Sequence, residues 1–269
     1  MTKRVWFDAG HGGYDPGALG YSLREKDIVL KLVLEAKRIL LDEFYNVVVG
    51  MTRETDVFLS LEARADKANP WKADVFISFH CNSGSTNGVP GDGFETFRYP
   101  GANGDTLRLQ QIMHNKIYNV YKQHSIDDRG MKQSNLSVLR RTHMAAVLTE
   151  NLFMNNQEIT KFNDVSFINA VARAHAEGVA EYLGLARKKP ATSKQTMYRI
   201  NIGDFDSIEW LAVALTKVKE VLPGYGVWTQ CLDNGYHRII VGDFNDKKWT
   251  DDTVEKLKPL GYGTWIQML

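Results

Sequence analysis

Along the first 185 residues, short apolar runs alternate with longer stretches of helical period. Val5–Phe7, Val47–Val49, Asp74–His80, Gly93–Arg98 and Ala145–Thr149 have the length and composition of buried strands. Between them, Ile28, Leu32, Leu34, Ala36, Ile39 and Leu40 recur at helical spacing, with Lys31, Glu35, Lys37 and Arg38 opposite. Asp27 is the expected cap of that helix. Ser60 to Asn69 predicts a short helix stopped by Pro70, Thr106 to His124 a long one, and Phe167 to Leu185 a third. Strands alternating with helices predict an α/β fold, a largely parallel mixed sheet flanked by helices.

Periodicity lapses in the polar, basic stretch that begins at Arg187-Lys188-Lys189-Pro190, which reads as a linker over 187–196. Behind it the pattern repeats internally. Tyr198-Arg199-Ile200-Asn201-Ile202-Gly203-Asp204-Phe205 matches His237-Arg238-Ile239-Ile240-Val241-Gly242-Asp243-Phe244, and Gly224-Tyr225-Gly226-Val227-Trp228 matches Gly261-Tyr262-Gly263-Thr264-Trp265. Helical stretches separate the matched pairs, so two strand–helix–strand halves predict a small α+β domain of βαββαβ, ferredoxin-like order. The expected division is 1–186, a linker, and 197–269.

Composition narrows the function classes. A formal net charge of +1 does not suggest a nucleic-acid or electrostatic membrane binder. The small sheet could suit RNA, but the aromatic RNA-binding signature is absent and residues 196–269 hold eight basic against ten acidic residues, so RNA is rejected. Two distant cysteines, Cys81 and Cys231, imply no disulfide framework. The start holds only three consecutive apolar residues and predicts no signal peptide. The expectation is a monomer made in the cytoplasm that meets its substrate after release.

Candidate chemistry lies at the ends of the predicted strands. The first runs into Asp8-Ala9-Gly10-His11-Gly12-Gly13, a glycine-rich loop that lacks the Lys-Ser/Thr of a phosphate loop. The third ends at His80 and the fifth at Glu150, and in a parallel sheet such ends share one edge. Glu25 falls in a charged turn on the same edge. Two histidines and one carboxylate make a catalytic zinc shell, with a second carboxylate as general base. No His-Glu-x-x-His helix occurs, and spacing alone does not prove the site or assign the glutamates.

Several motifs, in order, cover the whole first domain. They include Asp8 to Gly13 with Asp15-Pro16-Gly17-Ala18, Glu25-Lys26, Thr52-Arg53, Ser78-Phe79-His80-Cys81-Asn82-Ser83, Gly93-Phe94-Glu95-Thr96, Leu136 to Arg140, and Leu148-Thr149-Glu150-Asn151. In these the chain resembles the zinc-dependent N-acetylmuramoyl-L-alanine amidases of the third amidase family. Ala145, where a proline is common, and His143 depart from that pattern without removing a ligand. The resemblance implies that His11, Glu25 and His80 bind Zn2+ and that Glu150 is the catalytic acid/base. It also implies hydrolysis of the peptidoglycan amide between N-acetylmuramic acid and L-alanine, in a phage lysin or a mother-cell lysis enzyme. The tail resembles the sporulation-related repeat, which implies binding of glycan strands.

The competing expectations are an inactive wall-binding protein and a different zinc peptidase acting on wall peptides. Asn82 is a candidate to orient His80 or substrate, and Arg140 a candidate to steady the oxyanion. Arg53 and Arg64 read as structural partners of carboxylates such as Asp56. Cys81 reads as a packed thiol, and His114, His124 and His175 as surface residues on helices.

Overall fold

The computed structural model describes residues 1–188 and 197–269. Of the expected linker, Arg187 and Lys188 are described and the remainder lies outside the described residues. The chain divides into two compact units, Met1–Pro190 and Ala191–Leu269, each with its own hydrophobic core.

In the first unit the elements are β1 (Lys3–Ala9), α1 (Glu25–Glu43), β2 (Val47–Met51), α2 (Leu61–Ala68), β3 (Val75–Asn82), β4 (Phe94–Arg98), α3 (Asp105–Lys122), β5 (Asp128–Gln133), α4 (Ser137–Arg141), β6 (Ala145–Phe153) and α5 (Val165–Leu183). The sheet runs β2-β1-β3-β6-β4-β5. All neighbours are parallel except β6 and β4, which makes the sheet mixed and largely parallel, as expected.

Alternation along the strands assigns the two faces. Val5, Phe7, Val75, Ile77, Phe79 and Val147 pack under α1, α3 and α5 in the larger core. Trp6, Phe76, Ala146 and Leu148 point the other way, into a small core with Ala68 of α2 and Val138 and Leu139 of α4. Among the described residues, only two short helices cover that second face. Asp8, Ser78, His80 and Glu150 share its parity, so the polar residues at the strand ends emerge where the cover is thinnest.

Asp27 does not cap α1: the helix begins at Glu25 with Arg24 in an extended conformation, and Asp27 pairs with Arg24 at 2.5 Å. The first unit also extends past residue 186. Lys188 N donates to the Glu43 carbonyl at 2.7 Å, and Arg187 bridges Phe44 and pairs with Glu177 at 2.7 Å.

The second unit comprises β7 (Tyr198–Phe205), α6 (Ile208–Val221), β8 (Val227–Cys231), β9 (His237–Phe244), α7 (Lys247–Leu257) and β10 (Thr264–Met268). Its antiparallel sheet runs β8-β9-β7-β10. Ile200, Ile202, Ile239 and Val241 pack with Ala214 and Val218 of α6 and Leu257 of α7. Ser207 and Asp246 cap the two helices in the same way, each side chain accepting from the backbone three residues on. The internal repeat of the sequence is thus a repeat of structure.

Candidate metal centre

Three side chains converge at the carboxyl edge of the large sheet. His11 Nε2 lies 3.1 Å, and His80 Nδ1 2.9 Å, from Glu25 Oε1. Their ligand atoms all fall within 4.8 Å of one another. These spacings are close to the ~3.3 Å expected between ligands around a tetrahedral ion with bonds of ~2 Å. Two imidazole nitrogens and a carboxylate oxygen therefore fit a divalent metal of the zinc type.

Local structure brings them together. Ala9 ends β1, and His11 turns the chain sharply with φ +58, a left-handed conformation that is uncommon outside glycine. Gly10 admits the His80 ring: a Cβ there would lie 2.3 Å from His80 Cε1. Gly17 has φ +66, and a Cβ there would lie 2.6 Å from Glu25 Oε2. The glycines of the loop thus leave room for the ligands to approach one another.

A second layer of hydrogen bonds fixes His11 and Glu25. Asp15 Oδ2 lies 2.8 Å from His11 Nδ1, which leaves Nε2 to face Glu25, and Asp15 Oδ1 accepts from Gly17 N. Glu25 accepts from Cys81 N at 3.0 Å and from Ala18 N at 2.9 Å. Burial alone would raise the Glu25 pKa, but the two imidazoles hold the carboxyl well below its usual range. Burial pulls the His11 pKa down, and Glu25 and Asp15 outweigh it, so the net shift is upward. The place of Asp15 four residues after His11 is the signal of this role that the sequence carries.

Glu150 stands apart from this cluster. It lies in register with His80 on β3, and both line a cavity of about 310 Å³ with His11, Phe58, Arg64 and Val138. Its Oε2 is buried with no hydrogen-bond partner among the described residues. Burial, then the charges of Glu25 and Glu95, push its pKa well above the ordinary carboxylate value. A buried carboxylate with no partner is costly unless a ligand meets it. The strand itself is bent beyond this point: the register shifts between Glu150 and Phe153, and Leu152 adopts φ +72.

The other candidates lie elsewhere. Asn82 does not reach His80; its amide donates to Glu95 Oε1 at 2.6 Å and its carbonyl accepts from Ser83 N. Arg140 is exposed, bonds Asn135 at 2.5 Å, and lines a separate cleft with Arg141 and His143 rather than the Glu150 cavity. Arg64 pairs with buried Asp8 at 2.8 Å and holds the His11 carbonyl at 2.8 Å, which braces the glycine loop. Arg53 binds the carbonyls of Ala9, Gly10 and Lys26, whereas Asp56 pairs with Lys26. Cys81 is buried in the larger core, as expected.

Comparison with known proteins agrees with this architecture. The profile of the third amidase family, described as N-acetylmuramoyl-L-alanine amidase, matches residues 5–181. An endolysin of Bacillus phage SPP1 is 48% identical over 210 residues, covering 73% of this chain and 76% of the endolysin. The sporulation-specific N-acetylmuramoyl-L-alanine amidase of Bacillus subtilis strain 168 is 37% identical over 203 residues, 75% of either chain. Among solved structures, the catalytic domain of CwlV, an N-acetylmuramoyl-L-alanine amidase from Bacillus (Paenibacillus) polymyxa var. colistinus, is similar with a TM-score of 0.63 and 34% identity. That likeness spans 69% of this chain and 100% of the CwlV chain. With the profile reaching all six strands of the sheet and every residue of the cluster, the chain belongs to the N-acetylmuramoyl-L-alanine amidase family.

Proposed function

We propose that the chain is a zinc-dependent peptidoglycan amidase that cleaves the bond between the lactyl group of N-acetylmuramic acid and L-alanine. His11, Glu25 and His80 hold the zinc, and Glu150 is the general base. Zinc held there would supply polarisation of the scissile carbonyl and a more acidic water. The observation that carries the reading is the buried Oε2 of Glu150, without a partner among the described residues, in the cavity that His11 and His80 also line.

Glu150 takes a proton from the attacking water as its oxygen adds to the carbonyl carbon. The C–N bond then breaks, and Glu150 returns the proton to the departing nitrogen. The products are a lactyl carboxylate and a free L-alanine amino group. Asp15 keeps the His11 ring turned toward the cluster, and Arg64 holds the loop that carries it.

The second unit is the wall-binding module of this reading. On the sheet face away from its helices, Trp228, Ile240, Asn201 and Trp265 form one row across all four strands. The two tryptophans are about 40% exposed at its edges, whereas Ile240 and Asn201 are nearly covered. Arg199 lies over Trp228 and pairs with Asp243; Arg238 lies over Trp265 and pairs with Asp204. Repeated tryptophans beside fixed arginines suit stacking on, and hydrogen bonding to, a repeating neutral sugar chain. The relatives named as a phage endolysin and a sporulation amidase support two settings, phage lysis or mother-cell lysis, both after release to the wall.

Digestion of purified cell walls followed by mass spectrometry tests the reaction. The expected fragments are intact glycan and stem peptides with free L-alanine amino termini. Cuts within the stem peptide would instead indicate a zinc peptidase, and no cuts with retained wall binding an inactive binder.

A further inference from the structure

Beyond Glu150 the same row of the sheet continues into a second polar cluster. Glu150 is in register with Glu95 on β4, and Glu95 with Gly130 on β5. Glu95 is buried and gathers three donors: Asn82 at 2.6 Å, Arg129 Nε at 2.8 Å, and Lys132. The Arg129 guanidinium also lies over the Phe153 ring at 4.7 Å. A carboxylate behind it and an aromatic ring against its face hold it in one orientation. Among the described residues, neither of its terminal nitrogens makes a hydrogen bond; Asp92 lies 3.7 Å from Nη1. Asn82, Asp92, Arg129 and Phe153 line a cavity of about 420 Å³.

This is a fixed arginine with free donors, on the same edge of the sheet as the centre, two strands from Glu150 and three from His80. Such a fork fits a carboxylate. The muramic lactyl carboxyl is consumed in the scissile amide and the glycan is neutral. The nearest free anion is the α-carboxylate of the second stem residue, a glutamate linked through its side chain. Two extended residues span about 7 Å. From Glu150, two strand spacings are about 10 Å, and an arginine side chain covers the difference.

We propose that Arg129 binds this α-carboxylate and so makes the enzyme prefer stem peptides in which it is free over those in which it is amidated. The inference rests on the amidase reading. Asp92 is the competitor for the same guanidinium and moderates the preference.

The test measures kcat/KM of the zinc-loaded full chain on two muramoyl-peptides, one with glutamate and one with isoglutamine at the second position. A hydrogen bond to a charged group contributes roughly 1.5–3 kcal/mol, so a preference of about tenfold or more for the free carboxylate is expected. In Arg129→Gln the loss should fall mainly on the carboxylate form and bring the two rates within about threefold. Glu95 keeps Lys132 and Asn82 as donors, so this variant should fold and hold zinc. Asp92→Asn, at the half-exposed rim, should raise the preference severalfold and serves if Arg129→Gln unfolds. An equal loss on both substrates, or a preference that survives Arg129→Gln, would overturn the assignment. A wild-type enzyme inactive on both substrates would refute the amidase reading, and this inference with it.

Discussion

The two glutamates of the centre differ in what surrounds them, and that difference can be measured. Glu25 Oε1 lies 3.1 and 2.9 Å from the two imidazole nitrogens, and the carboxylate accepts from two backbone N–H groups, as an anionic ligand should. Glu150 has one buried oxygen with no donor among the described residues. Glu150→Gln should therefore keep zinc near one equivalent while hydrolysis falls by at least ~10²–10⁴-fold, the usual worth of general acid–base catalysis. Glu25→Gln should lower zinc affinity, because a neutral oxygen replaces an anion. His11→Ala should lose most of the metal, since three protein ligands leave none to spare. Metal analysis and wall-turbidity loss on the three variants check the assignment; a Glu150→Gln variant that loses its zinc would reverse the roles of the glutamates.

Behind the centre, β6 is tied to its neighbours by a buried polar chain. Tyr121 of α3 donates to Asn151, whose amide donates to Thr149 Oγ1 and to the His80 carbonyl. Thr149 Oγ1 lies 3.1 Å from His175 Nε2, and His175 Nδ1 lies 2.8 Å from the Val171 carbonyl within α5. The Val171 carbonyl can only accept, so Nδ1 carries a proton. Burial lowers its pKa to about 4. The unfolded chain, with an ordinary imidazole pKa of ~6.5, then binds a proton that the folded chain does not, and stability falls as pH drops from ~6.5 toward 4. Between pH 7 and 5 this group accounts for a loss of about 2 kcal/mol. Urea unfolding at both pH values should show a smaller drop for His175→Gln than for the wild type; an equal drop would remove His175 as the cause. The histidine also marks the limit of what periodicity reveals. His114 and His175 were expected at the surface, yet both are buried, because their partners Asp128 and Thr149 come from distant strands. The apolar runs of β1, β3 and β6 were legible, since burial on both faces demands them. β5, Asp-Arg-Gly-Met-Lys-Gln, was not, because an edge strand with one partner needs no apolar run. The ligand residues stood out through their glycine-rich and strand-end surroundings, whereas Arg129 could be recognised only after folding set it on Glu95 and Phe153.

At the scale of the whole molecule, the boundary between the units has a definite chemical position. Leu185 N donates to the Ala180 carbonyl, Tyr45 N to Ala186, and Lys188 N to Glu43. Arg187 adds ion pairs to Glu43 and Glu177, and Lys188 Nζ reaches the Leu41 carbonyl at 2.6 Å. Residues 185–188 therefore close the end of α1 and belong to the catalytic unit. A chain ending at Lys188 should unfold at nearly the temperature of the first transition of the full protein, and should hold zinc. One ending at Gly184 loses three backbone hydrogen bonds at ~0.5–1.5 kcal/mol each, together with the Arg187 pairs, and should be less stable by a few kcal/mol. Both truncations lack the second unit and its row of tryptophans, so both should bind purified sacculi more weakly than the full chain at equal folded concentration. Thermal unfolding separates the two truncations from each other, and sedimentation with sacculi separates both from the full chain. If the Lys188 truncation bound walls as well as the intact protein, the glycan-binding role of the second unit would be wrong. If the Gly184 truncation were as stable as the longer one, the contacts of residues 185–188 would be ornamental and the catalytic unit would end with α5.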